Sequence, residues 1–139
     1  MIKILTSDFN NYETKNGVKI TRPINNENGI VDNLKQLLKK RGKVIFVASD
    51  ADNSPELVES YAKIFFDSMK MSGITFDKYY ILDGTKADKA KEYIDNADLV
   101  YLCGGDTYKQ HLFFQTINLK EILFTYSGIV MGQSAGAIN

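Results

Sequence analysis

Near the carboxyl end of the sequence, Gly132-Gln133-Ser134-Ala135-Gly136 satisfies the G-x-S-x-G pattern of a nucleophile elbow. There a sharp turn between a strand and a helix presents a serine hydroxyl, and neighbours without bulk let backbone and substrate approach. Three fixed positions at ordinary residue frequencies coincide in about one chain of this length in 25, so the bare pattern decides nothing. Its surroundings add weight. Ile129 to Met131 before it reads as an apolar strand, and Ala135-Gly136-Ala137-Ile138 after it can open a helix. The alternative is a plain strand-to-helix turn in which Ser134 is a cap.

A second glycine cluster, Gly104-Gly105-Asp106-Thr107, closes the preceding apolar run. If the two strands are neighbours, about 4.8 Å apart, this loop lies beside Ser134. Its backbone N–H groups then join that of Ala135 in stabilising an oxyanion, as acyl transfer requires. Asp106 or Thr107 capping the next helix is compatible with that role. A serine hydroxyl also needs a base, normally an oriented histidine. The single histidine, His111, falls inside the helix after the glycine loop and more than a turn beyond Gly105. Its ring is expected to pack or face solvent rather than meet Ser134. The single thiol, Cys103, ends an apolar run and reads as buried and inert rather than as a nucleophile.

The elements that must position these residues alternate between strand and helix. Ile2 to Thr6, Val44 to Ala48, Tyr79 to Leu82, Leu99 to Cys103 and Ile129 to Met131 read as strands, mostly as continuous apolar runs covered on both faces. Between them, Ile30, Leu34, Leu37 and Leu38 recur at helical spacing, with Gly42 as an expected left-handed stop. Ser54 caps and Pro55 opens a long helix whose expected apolar stripe is Leu57, Tyr61, Ile64, Phe65 and Met69, ended by Gly73. Ala87 to Ala97, Thr107 to Phe114 and Leu119 to Tyr126 complete the helices. Asp8 to Asn28 is rich in Asn and reads as a long loop, with a weak strand signal at Gly17 to Thr21. The expected fold class is α/β, a three-layer sandwich around a mostly parallel sheet of the flavodoxin-like type. In such sheets ligands gather at the carboxyl ends of the strands, here just after Thr6, Ser49, Cys103 and Met131.

Composition narrows the partners. The 139 residues, 44% hydrophobic and 24% charged, suit one soluble domain. Seventeen basic and 17 acidic residues cancel, which removes the electrostatic footprint of a nucleic-acid binder. No apolar run approaches the roughly 20 residues that span a bilayer, and the first residues do not form a secretory signal, so no membrane partner and a cytoplasmic location are expected. One cysteine and one histidine exclude a disulfide and a Cys/His zinc cluster. Nothing calls for a cofactor or a metal.

Tyr101-Leu102-Cys103-Gly104-Gly105-Asp106-Thr107, two helices, and Gly128-Ile129-Val130-Met131-Gly132-Gln133-Ser134-Ala135-Gly136-Ala137 together resemble the dipeptidase E and cyanophycinase family of serine peptidases. That family shares the fold of the class I glutamine amidotransferases. The resemblance implies a nucleophile at Ser134, an oxyanion hole around Gly105 and Ala135, and substrate or loop contacts from Gly104, Asp106 and Thr107. It implies a serine-type peptidase cleaving short peptides, with acidic residues a candidate preference, through an acyl-enzyme. Asp106 stands where members often have Asn, which leaves the preference open. The Asp8 to Asn28 loop becomes a candidate rim of the site.

In the family resembled, the histidine and its acidic partner follow the serine, whereas this sequence ends at Asn139. The chain is therefore expected to be the amino-terminal part of a longer peptidase-like domain and inactive by itself. Its last strand is expected to be an exposed sheet edge, open to homo-oligomer formation. The competing reading is a non-catalytic module whose glycine loops hold an anion, a nucleotide or a partner protein.

Overall fold

A computed structural model of the chain describes residues 1–6, 9 and 11–133. Five parallel strands form the central sheet: β1 (Ile2–Thr6), β4 (Lys43–Val47), β5 (Lys78–Leu82), β6 (Leu99–Leu102) and β7 (Ile129–Gln133). Their spatial order is β1-β7-β6-β4-β5. All residues of β6 are buried, and β4 is buried beyond Lys43, as a strand covered on both faces demands.

On one face, α2 (Pro55–Met71) packs Phe65 and Phe66 against Phe46 of β4. On the other, Tyr93 of α3 (Ala90–Asp95) meets Tyr80 of β5, and α3 leads on to α5 (Leu119–Phe124) and α4 (Thr107–Thr116). A 3₁₀ turn, Gly84–Lys89, precedes α3. This is the expected three-layer α/β architecture.

The long helix begins as the sequence dictates. Ser54 Oγ accepts the Leu57 N–H, and Pro55 occupies the first turn. It ends in a Schellman motif, with Ile74 N–H donating to Met69 C=O and Gly73 N–H to Lys70 C=O, and Gly73 takes φ +84°. Its buried stripe is Val58, Ala62, Phe65 and Met69. Leu57 and Tyr61 are instead exposed. They lie outside the face that meets the sheet, and Tyr61 turns towards an accessory hairpin.

Three expectations are corrected. First, α1 (Ile30–Leu37) stops at Leu38, four residues before Gly42, and Gly42 is not left-handed. The Arg41 side chain reaches back to the Leu38 and Lys35 carbonyls and satisfies the helix end instead. Second, the long loop contains a two-stranded hairpin, β2 (Tyr12–Lys15) and β3 (Val18–Thr21), turned by Asn16 at φ +52° and Gly17 at φ +77°. Two successive positive φ values define the type I′ turn that Asn-Gly favours. Third, β7 is not an edge. It pairs with β6 on one side and β1 on the other, so the exposed edge expected at Ile129 to Met131 does not exist. The amino-terminal strand fills that place, and the outer strands are β1 and β5.

Candidate active site

Parallel pairing sets the level at which the chain leaves the sheet. Val47 of β4 stands opposite Leu102 of β6, and Leu102 opposite Gly132 of β7. The turn after β4 with Ser49 and Asp50, the Cys103-Gly104-Gly105 turn and Gln133 therefore meet at one end of the sheet. They line a cavity of about 370 Å³. Tyr61, Ile64 and Phe65 of α2 form one wall, and Asn11, Tyr12 and Lys19 of the hairpin close over it. Three of the four expected strand ends contribute, whereas Thr6 borders a separate groove beside α1.

The glycine turn is held from several directions. Gly105 has φ +157°, and a Cβ there would collide with Ser49 Oγ and come within 2.9 Å of Ser49 Cβ. Only glycine lets the turn pass this close to β4's end. Asp106 follows as the N-cap of α4, its carboxylate accepting the Lys109 N–H at 2.9 Å. One turn further, the fully buried Gln110 donates its side-chain amide to Cys103 C=O. Lys109 Nζ lies 3.5 Å from Asp50, tying α4 to the turn after β4. The Cys103 thiol donates to Gly104 C=O, and burial pushes its pKa up to about 12. A protonated thiol is a poor nucleophile, consistent with an inert Cys103.

Beneath the cavity, the Tyr101 ring stacks on Phe65 with centroids 3.8 Å apart, and its hydroxyl donates to Gln133 Oε1. Phe9 packs on the same two rings. The last described residue of β7 is thus held to β6 by its side chain and to β1 by its backbone pairing with Thr6.

Comparison with known proteins gives a family and a fold. The model for peptidase family S51 matches residues 22–139, most of the chain. The chain belongs to peptidase family S51. The S51 chain also resembles a crystal structure of a peptidase from an acI-B1 Actinobacterium, with a TM-score of 0.58 and 20% identity. That likeness is one of fold, covering 78% of this chain and 49% of the other, so the S51 chain spans about half the length of that peptidase. Comparison with curated proteins gives no match.

Of the residues singled out by sequence, the S51 chain brings Gly104, Gly105 and Asp106 to the cavity and places Thr107 at the start of α4. Ser134 and Ala135 lie outside the described residues, immediately after Gln133. His111 is exposed on α4. The Asp8 to Asn28 loop, expected as a candidate rim, does reach the cavity through Asn11, Tyr12 and Lys19, none of which sequence reasoning singled out; that reasoning also missed Tyr61, which lines the cavity too. The signal that brings in the first three was the Asn16-Gly17 turn. Among the described residues no three His, Cys, Asp or Glu side chains gather as a metal site, and no helix is long and apolar enough to cross a membrane.

Proposed function

We propose that this chain carries the nucleophile half of a serine peptidase site acting on short peptides, with Ser134 forming the acyl-enzyme. The observation that carries the reading is the pairing of Leu102 with Gly132, which brings the Gly104-Gly105 turn and the start of the G-x-S-x-G segment to the same end of adjacent strands. In the proposed reaction Ser134 Oγ adds to the peptide carbonyl carbon while its proton is passed to the departing amine. Water then hydrolyses the ester and regenerates the hydroxyl. The N–H groups of Gly105 and Ala135 stabilise the oxyanion of each tetrahedral intermediate. A cavity of about 370 Å³ suits a dipeptide-sized ligand better than a folded protein.

His111, exposed on α4, is not the base in this reading. Acylation by these 139 residues alone then rests on binding and the oxyanion hole, so turnover of peptides is slow to absent. An activated ester bypasses much of the need for a base. With p-nitrophenyl acetate the chain should give a burst of nitrophenolate of at most one equivalent followed by slow release, and Ser134→Ala should remove the burst. An equal burst from the Ser134→Ala variant overturns the proposal.

A further inference from the structure

The peptides of the Cys103-Gly104-Gly105 turn are held by their carbonyls. Pairing of β4 with β6 ends at Val47 and Leu102, and one further bond, from Cys103 N–H to Val47 C=O, closes it. Beyond that bond the carbonyls of the turn have left the ladder and need other donors. Gln110 of α4, fully buried and outside the cavity lining, donates its side-chain amide to Cys103 C=O. The Cys103 thiol, packed against the hydrophobic core, donates to Gly104 C=O across 3.3 Å. In a planar trans peptide the N–H points opposite to the C=O. Carbonyls drawn towards Gln110 and the thiol therefore turn the N–H groups of Gly104 and Gly105 the other way, and both glycines border the cavity. Neither has a side chain to oppose rotation of the peptide between them, and Gly105 at φ +157° lies in backbone space that other residues rarely enter. A rotated peptide would aim a carbonyl oxygen at the place proposed for the oxyanion.

We propose that Gln110 and the Cys103 thiol are positioning residues that fix both peptides of the glycine turn with their N–H groups presented to the cavity. Donors set in place before the reaction cost no reorganisation when charge develops on the substrate. If α4 needed only packing at this position, an apolar residue would serve without the cost of burying an amide. The amide of Gln110 is explained by the carbonyl it meets. The thiol has a use here that does not depend on nucleophilicity, because only its protonated form donates. Burial in the core keeps it protonated. The inference rests on reading the turn as the oxyanion loop of a serine peptidase.

Burst kinetics with p-nitrophenyl acetate and amide NMR of the whole chain test this on separate grounds. Gln110→Met keeps the length of the side chain and deletes its donor, Cys103→Ala deletes the second donor, and Cys103→Ser restores one. Gln110→Met should lower the burst rate constant about tenfold and Cys103→Ala about threefold, both at an unchanged half-saturating ester concentration, and Cys103→Ser should keep the wild-type rate. A merely structural role would lower the melting temperature without this split between rate and affinity. In the isotope-labelled Ser134→Ala chain, where the nucleophile plays no part, the Gly104 and Gly105 amide signals should be sharp. They should broaden or double in Gln110→Met and Cys103→Ala as the peptides sample two orientations, with the signals of β4 unchanged. If Gln110→Met does not fold, the Cys103→Ala and Cys103→Ser pair decides by the same readouts. A burst that Ser134→Ala removes but that keeps its rate in the donor-deleting variants overturns the positioning role, as do Gly104 and Gly105 signals that ignore them. A wild-type chain without a burst, whose Gly104 and Gly105 signals still respond, refutes the nucleophile and sustains the hold on the turn.

Discussion

Ser49 Oγ occupies the space that a side chain on Gly105 would need. The contact joins the end of β4 to the turn after β6, and it makes the proposed oxyanion loop depend on a residue 56 positions away by packing alone. Gly105→Ala should therefore lower stability by about 1–3 kcal/mol, from backbone strain at φ +157° together with the collision. Adding Ser49→Gly should recover part of that loss, so urea unfolding of the double variant should show less destabilisation than the sum of the single ones.

The Tyr101 hydroxyl anchors Gln133, the residue that leads into Ser134. Tyr101→Phe keeps the stack on Phe65 and deletes that donor, so a stability loss of about 1–2 kcal/mol is expected in chemical denaturation. The p-nitrophenyl acetate burst should slow in the same variant. An unchanged burst rate would show that Gln133 needs no anchor from β6.

Cys103 gives a pH signature. Burial raises its pKa from 9.0 to about 12, so at pH 8 the native thiolate population is on the order of a thousandfold below that of the unfolded chain. Iodoacetamide should label the unfolded protein rapidly and the native protein hardly at all. A raised native pKa means that the folded state holds its proton more tightly. The associated stability is fully present below pH 9 and is lost progressively as pH rises towards 12. Cys103→Ala should flatten that part of the alkaline unfolding profile.

The hairpin depends on its turn. Gly17 has φ +77° with nothing near the position of an added Cβ, so Gly17→Ala carries only a conformational cost of about 1 kcal/mol. Amide exchange across Tyr12 to Thr21 should quicken in this variant while exchange in β4 and β6 stays unchanged.

Much of this was legible in the residues because local signals agreed with the fold. Ser54-Pro55 and Gly73 bracket α2, and the apolar runs of β4 and β6 announce strands covered on both faces. The glycine turn and its Asp106 cap were readable for the same reason. What stayed hidden depended on distant partners. Whether β7 is an edge turns on where β1 inserts, and no local pattern near Ile129 records that. Arg41 ends α1 through its side chain, so Gly42 was a misleading stop. The Asp8 to Asn28 loop was readable as a rim, but which of its residues reach the cavity, Asn11 and Lys19 among them, depends on how the hairpin turned at Asn16-Gly17 folds over it.

The central claim is that Ser134 is the nucleophile, and a fluorophosphonate probe followed by peptide mapping tests it most directly. Slow but site-specific modification of Ser134 in the wild-type chain, lost in Ser134→Ala, is the result expected. Modification that persists unchanged in Ser134→Ala, or that maps to another residue, would contradict it.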